Sequence, residues 1–164
     1  MILIGADFVP TKSNEAYFIA GDSEKLFGGA LKKLLDGADY RIFNLECPLV
    51  DKETPIAKKG PHLRASTKTV QGFRAAGADL LTLANNHIMD QGDSGLHSTL
   101  HILENAGIKS VGSGACLSQA SNAFTFSVKG KRMGVYACAE HEFSIATETA
   151  CGANPFDPLP ILRL

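Results

Sequence analysis

The sequence predicts an α/β fold with a mainly parallel sheet flanked by helices and a β-hairpin near the C-terminal end. Three observations predict it. Short apolar runs alternate with stretches of helical periodicity in the order β, α, β, α, β, α, β. The apolar runs end in Asp, Asn or Glu, as buried strands do when they meet a functional or turn-forming edge. Two further runs, Ala123–Val128 and Lys131–Ala139, alternate around a Lys129-Gly130-Lys131 turn, the pattern of an antiparallel hairpin.

Met1–Gly5 is the first strand and runs out at Gly5-Ala6-Asp7. A helix follows, capped by Asp22 or Ser23 and stopped by Gly37, with Leu26, Phe27, Ala30, Leu31, Leu34 and Leu35 on its apolar face. The paired Gly28-Gly29 weakens it by about 1 kcal/mol each relative to Ala. These glycines lie inside the periodic pattern, so they imply no phosphate loop. Tyr40–Leu45 is the second strand, ending at Glu46-Cys47-Pro48. Val50–Ala65 reads as a Lys- and Pro-rich loop, basic through Lys58, Lys59, His62 and Arg64. Such a loop is either solvated or a lip that attracts an anionic substrate. Ser66–Gly77 has a capped helical pattern, and Asp79–Ala84 is the central strand.

The next helix starts near Gly92 and stops at Gly107. His97 and His101 are one turn apart on it, a spacing that can bind a metal. They lie beside the Leu96/Leu100/Leu103 core stripe, which favours a solvent face. Lys109–Gly114 is a short strand, with a turn or short helix over Leu117–Asn122. Beyond Glu140 the periodicity fades into a Pro-rich loop, and the chain closes on an apolar Ile161-Leu162-Arg163-Leu164.

Composition narrows the partners. With 164 residues, 45% apolar and 20% charged, the chain fits one globular domain. A net charge of −1 gives no electrostatic case for nucleic acid or an anionic membrane. No apolar run approaches the roughly 20 residues of a membrane span, and the N-terminus lacks signal-peptide character. Cys47, Cys116, Cys138 and Cys151 have no CxxC spacing and read as buried thiols of a reducing compartment, which predicts a cytoplasmic location.

The candidate site is built around Leu80–Asp93, an apolar run that stops at Asn85-Asn86-His87 and passes through Asp90. Asp7, Glu46 and Asn86 are nearly evenly spaced along the chain, each at the carboxyl end of one of the first three long strands. In a parallel sheet those ends share one edge, so three oxygen ligands can converge, with His87 beside them. Two carboxylates and an amide suit a divalent cation such as Mn²⁺, Fe²⁺, Zn²⁺ or Mg²⁺. A bridging carboxylate would allow two ions about 3.5–4 Å apart that activate water and clamp a phosphoryl oxygen. His87 can protonate a leaving oxygen, and Asp90 can hold its imidazole in one tautomer. The rival roles are a turn or cap for Asp7 and a helix cap for Asp90. Asn44 and Glu46 share one side of their strand and need partners if buried.

The motifs Gly5–Asp7 (GAD), Asn44–Leu49 (NLECPL), Leu83–Leu96 (LANNHIMDQGDSGL) and Asn105–Gly114 (NAGIKSVGSG) resemble the bacterial capsule-synthesis CapA family, linked to poly-γ-glutamate production. The resemblance covers nearly the whole chain. It implies a calcineurin-like metallophosphoesterase sandwich, with Asp7, Glu46 and Asn86 at metal-ligand positions and His87 as the catalytic histidine. Asn44, His62 and Arg64 are the candidate substrate-binding residues, and Asp90 joins His87 as catalytic. Two departures matter. The broader superfamily carries Asp-x-His in its first motif, whereas Asp7 is followed by Phe8-Val9. Its later histidine motifs should lie beyond Leu164, so residues 1–164 are expected to be the N-terminal half of such a domain, truncated at the C-terminus. His141, the remaining late histidine, resembles a segment after a strand and not a metal motif.

The expected function is therefore a capsule or poly-γ-glutamate biosynthesis protein with a metal-dependent, phosphoesterase-like hydrolase site. Its substrate would be a phosphoester or an anionic polymer, in a capsule-synthesis complex with envelope association implied by resemblance. The alternative is a non-catalytic binding component of polymer assembly or export with a decayed metal site.

Overall fold

The predicted alternation of strand and helix is present from the first residues of the computed structural model, which describes residues 1–161. The order is β1 (Ile2–Asp7), α1 (Glu15–Ala20), α2 (Ser23–Asp36), β2 (Tyr40–Asn44), α3 (Val70–Ala75), β3 (Leu80–Thr82) and α4 (Gly92–Asn105). Then come β4 (Lys109–Val111), β5 (Ser113–Gly114), α5 (Leu117–Ala120), β6 (Phe124–Val128), β7 (Lys131–Val135), β8 (Gly152–Ala153) and α6 (Pro158–Ile161). The C-terminal Leu162-Arg163-Leu164 lies outside the described residues.

β1, β2, β3 and β4 form one sheet in that order, and every neighbouring pair is parallel. Strands added in one direction with right-handed crossovers place all connecting helices on one face. The core divides accordingly. On the helical face Phe43 and Leu81 bury against Phe18, Leu35, Phe73, Leu96 and Leu103. On the opposite face Ile42, Leu80 and Val111 are covered by Phe124, Phe126 and Val135 of the β6–β7 hairpin, with the Phe126 ring stacked on Tyr40 at 3.9 Å. Alternate residues of the same strands thus supply two cores, giving three layers: helices, parallel sheet, hairpin. The hairpin turns through Lys129 (φ 50°) and Gly130 (φ 77°), both left-handed, the geometry that matches the twist of the paired strands.

Local departures from the sequence expectation have identifiable causes. Six-residue α1 is too short to show a helical period; its entry is set by the Thr11 amide donating to Asn14 Oδ1 at 2.6 Å. Gly28 adopts φ +62° and kinks α2, so the glycine pair marks a break in direction. The stretch after Ser66 starts as a 3₁₀ turn at Thr67–Thr69 before α3 begins. The expected strand over Lys109–Gly114 divides at Gly112 (φ +91°), and β5 leaves to pair antiparallel with β8.

β1 is one of the two edge strands of the sheet, opposite β4. Beside it an apolar groove of about 540 Å³ runs between the strand and α2, lined by Ile4, Phe27, Leu31 and Leu34 among others. Among the described residues, no helix is long and apolar enough to cross a membrane.

The helical layer is tight where α1 meets α3. A Cβ on Gly72 would sit 2.7 Å from Phe18 Cγ and 2.9 Å from its Cα, and Phe18 is fully buried. Gly72→Ala is therefore expected to destabilise the fold by about 1–3 kcal/mol through overpacking, despite the higher helix propensity of Ala. Chemical denaturation followed by circular dichroism checks this; an unchanged midpoint would show that α1 can move aside.

Candidate functional site

The register of the sheet aligns its carboxyl edge. Asp7 ends β1 and pairs with Asn44, which ends β2 and pairs with Thr82 at the end of β3. Paired positions in a parallel sheet point to one side, so the three polar side chains form a row. Asn44 Nδ2 donates to Asp7 Oδ1 at 2.7 Å, and Thr82 Oγ1 donates to Asn44 Oδ1 at 3.1 Å. Asn44 is thus the bridge between the first and third strands, and this supplies the partners that its position demanded.

The segment after β3 is held by Asn85. Its Nδ2 donates to the Leu45 carbonyl at 2.9 Å, and its Oδ1 accepts from the His87 amide at 3.0 Å. A buried asparagine that satisfies backbone groups on both sides fixes the turn. Its neighbour Asn86 is left exposed and borders a small cavity of about 230 Å³ with Glu140 and Glu142. The sequence pattern did not single out Asn85 as the anchor, because adjacent asparagines are indistinguishable until the chain direction is known. Glu140 and Glu142 were missed because the segment beyond Glu140 carries no periodicity.

His87 and Asp90 meet directly. His87 Nδ1 lies 2.7 Å from Asp90 Oδ2. The Asp90 side chain is fully buried, and that of His87 is 12% exposed. Asp90 also accepts from the Leu63 amide at 2.6 Å through Oδ2 and forms an ion pair with Lys58 through Oδ1. It is not the cap of α4, whose N-cap position is Gln91. Gln91 instead ties the preceding loop: its Oε1 accepts from the Thr54 amide at 2.7 Å, and its carbonyl accepts from Thr54 Oγ1 at 2.8 Å. The basic loop between Val50 and Ala65 is therefore pinned to the His87–Asp90 turn, and Lys58 in it is buried at its tip, in contrast to a solvated lysine.

The other predicted residues occupy neighbouring positions. Glu46 is half-buried just past β2, and its carboxylate makes no hydrogen bond with a described residue. His62 and Arg64 are exposed and line a cavity of about 470 Å³ with Val9, Lys12, Glu15 and Glu53. Arg64 Nε donates to Glu53 Oε1 at 2.8 Å, and His62 Nε2 donates to the Ile56 carbonyl at 2.7 Å. His97, His101 and His141 are exposed and make none of these hydrogen bonds. Asp7, Glu46 and Asn86 make no hydrogen bond to one another, and among the described residues no group of three or more His, Cys, Asp or Glu side chains is arranged to hold a metal ion.

The donor chemistry nevertheless fits a hard divalent cation. Asp7 is exposed with Oδ2 free of hydrogen bonds to the described residues, Asn86 carries an amide oxygen, and Glu46 is a half-buried carboxylate. Cys47, next to Glu46, is an unsuitable ligand. Burial pushes its thiol up to about 12, and the charges of Glu46 and Asp90 add to the shift. All four cysteines are free; Cys47 and Cys151 are buried, whereas Cys116 and Cys138 are only half-buried, so burial protects two of the four.

The chain matches, over residues 4–157, the family described as bacterial capsule synthesis protein PGA_cap. It is 31% identical over 134 residues to the capsule biosynthesis protein CapA of Bacillus anthracis, covering 79% of this chain and 33% of that protein. It is 32% identical over 124 residues to a Mycobacterium tuberculosis protein described as a probable polyglutamine synthesis accessory protein, covering 75% and 33% of the two chains. The PGA biosynthesis protein CapA of Bacillus subtilis is 29% identical over 97 residues, covering 58% and 26%. The chain spans about a third or less of the length of these curated relatives. With the match running almost end to end, the chain belongs to the bacterial capsule synthesis protein PGA_cap family.

Proposed function

We propose that this chain carries a metal-dependent hydrolase site, of the phosphoesterase type, used in the biosynthesis of a capsule or of poly-γ-glutamate. The observation that carries this reading is a histidine with one ring nitrogen secured by a buried aspartate, set beside the carboxylate- and amide-bearing edge of a parallel sheet. Asp7, Glu46 and Asn86 would hold one or two divalent ions, and the metal would supply a water of lowered pKa and charge stabilisation at a phosphoryl or related oxygen. His87, with Nδ1 occupied by Asp90, has Nε2 left to exchange a proton with a leaving oxygen. Asn44 keeps Asp7 in place, and Lys12, His62 and Arg64, which share a cavity with Glu15 and Glu53, are the groups that would meet an anionic substrate. The printed names of the relatives support a capsule- or polyglutamate-synthesis complex as the setting. Four free thiols support a reducing compartment.

A non-catalytic, polymer-binding role is the second reading, and Phe8-Val9 favours it. Where the superfamily pattern would place a histidine, Val9 is packed against the core, and Phe8 contacts the rings of Phe18, Phe27, Phe43 and Phe73. The position serves folding and supplies no ligand.

Calorimetric titration with Mn²⁺ tests the metal site. Saturable binding is expected, weakened at least about tenfold in Glu46→Ala, since each lost ligand interaction worth 1.4 kcal/mol is a factor of ten. Absence of binding, or equal binding by the variant, removes the metal from the reading.

A further inference from the structure

The loop between β2 and α3 delivers one charged group to the interior. The Lys58 side chain is 6% exposed, a rare state for an ammonium group, and its partner Asp90 is fully buried. Lys58 Nζ bonds Asp90 Oδ1, while Asp90 Oδ2 faces His87 Nδ1 at 2.7 Å and the Leu63 amide at 2.6 Å. Nζ also lies 3.4 Å from His87 Nδ1 and 5.1 Å from the centre of the Phe143 ring, which covers it.

The charges of this cluster favour one assignment of its donors and acceptors. An ammonium group only donates, and its positive charge at Oδ1 favours the ionised form of the Asp90 carboxylate that accepts from it. The ionised carboxylate only accepts, so the proton in the His87–Asp90 bond belongs to Nδ1. With Nδ1 protonated, the 3.4 Å approach of Nζ is a close passage of two donors and not a hydrogen bond. Nε2 has no hydrogen-bond partner among the described residues, so it is the nitrogen presented to a ligand or substrate. The assignment depends on the cation: a carboxylate buried without a counter-charge takes up a proton. A protonated Asp90 would donate to Nδ1 and move the ring proton to Nε2.

We propose that Lys58 is a positioning residue: through the buried Asp90 carboxylate it fixes His87 as the Nδ1–H tautomer with Nε2 free. Calling His87 the catalytic group rests on the function proposed above; the tautomer does not. Phe143 completes the arrangement by covering the ammonium with an aromatic face, which favours the cation electrostatically.

The test uses metal-free protein labelled with ¹⁵N in histidine, with long-range proton–nitrogen correlation at neutral pH. In the natural sequence His87 should show the Nδ1–H pattern; an Nε2–H pattern there overturns the proposal without any variant. In Lys58→Met the His87 pattern should shift to Nε2–H or to a mixture, and Lys58→Arg should restore Nδ1–H. A folded Lys58→Met protein with an unaltered His87 pattern would mean that Lys58 only fills space, and would overturn the proposal. Because neither metal nor substrate is added, the tautomer result stands whether or not the protein hydrolyses anything.

Discussion

Asp90→Ala is expected to cost about 3–5 kcal/mol of folding stability, the usual penalty for removing one member of a buried ion pair. The Asp90 carboxylate is fully buried and serves three donors: Lys58 Nζ, the Leu63 amide and His87 Nδ1. Its loss strands a cation that is 6% exposed and leaves a backbone amide without an acceptor. A domain of this size has about 5–15 kcal/mol in total, so the variant should be marginal at room temperature. Urea denaturation followed by circular dichroism reads the effect as a lowered midpoint at unchanged slope. Combining Asp90→Ala with Lys58→Met should lose less than Asp90→Ala alone, because the stranded charge is gone. A single variant as stable as the parent would show that water reaches the cluster, contrary to its burial.

The fold was legible because its signals are local and repeated. Leu80 and Leu81 are both apolar because β3 is covered on both faces, and Asp7, Glu46 and Asn85 mark where the apolar runs around β1, β2 and β3 stop. The hairpin could be read from alternation and one Lys-Gly turn. Elements without a period were not legible. α1 has six residues, and β5 and β8 have two each; their existence depends on contacts brought together from distant parts of the chain.

The same division applies to the candidate site. Asp7, Glu46, Asn86 and His87 could be named because residue type and strand-end position suffice to name them. The Asp90–His87 contact could be anticipated from a separation of three residues. Lys58 could not be distinguished from Lys59: both belong to one basic loop, and only the tertiary path of that loop buries the first and leaves the second exposed. Asn85 likewise gains its role from the Leu45 carbonyl, 40 positions earlier in the chain. Candidate site residues could be nominated from the sequence, and the contacts that hold them in place became visible through long-range packing.

His87→Ala should separate chemistry from binding and from folding. If His87 exchanges a proton with a leaving oxygen, its removal should lower turnover of a generic phosphoester in the presence of Mn²⁺ by about 10²–10⁴-fold. Mn²⁺ affinity should be retained, because Asp7, Glu46 and Asn86 are untouched. Stability should fall far less than in Asp90→Ala, since Asp90 keeps Lys58 and the Leu63 amide as partners and no charge is left alone. The three readouts together discriminate among the roles. Loss of turnover with binding and fold intact identifies a group that acts on the reacting atoms. Loss of metal affinity as well would place His87 among the ligands. Turnover equal to that of the parent would assign any hydrolysis to the metal-bound water alone, and the buried Lys58–Asp90 pair would then be an anchor for the loop and not for a proton-transfer group.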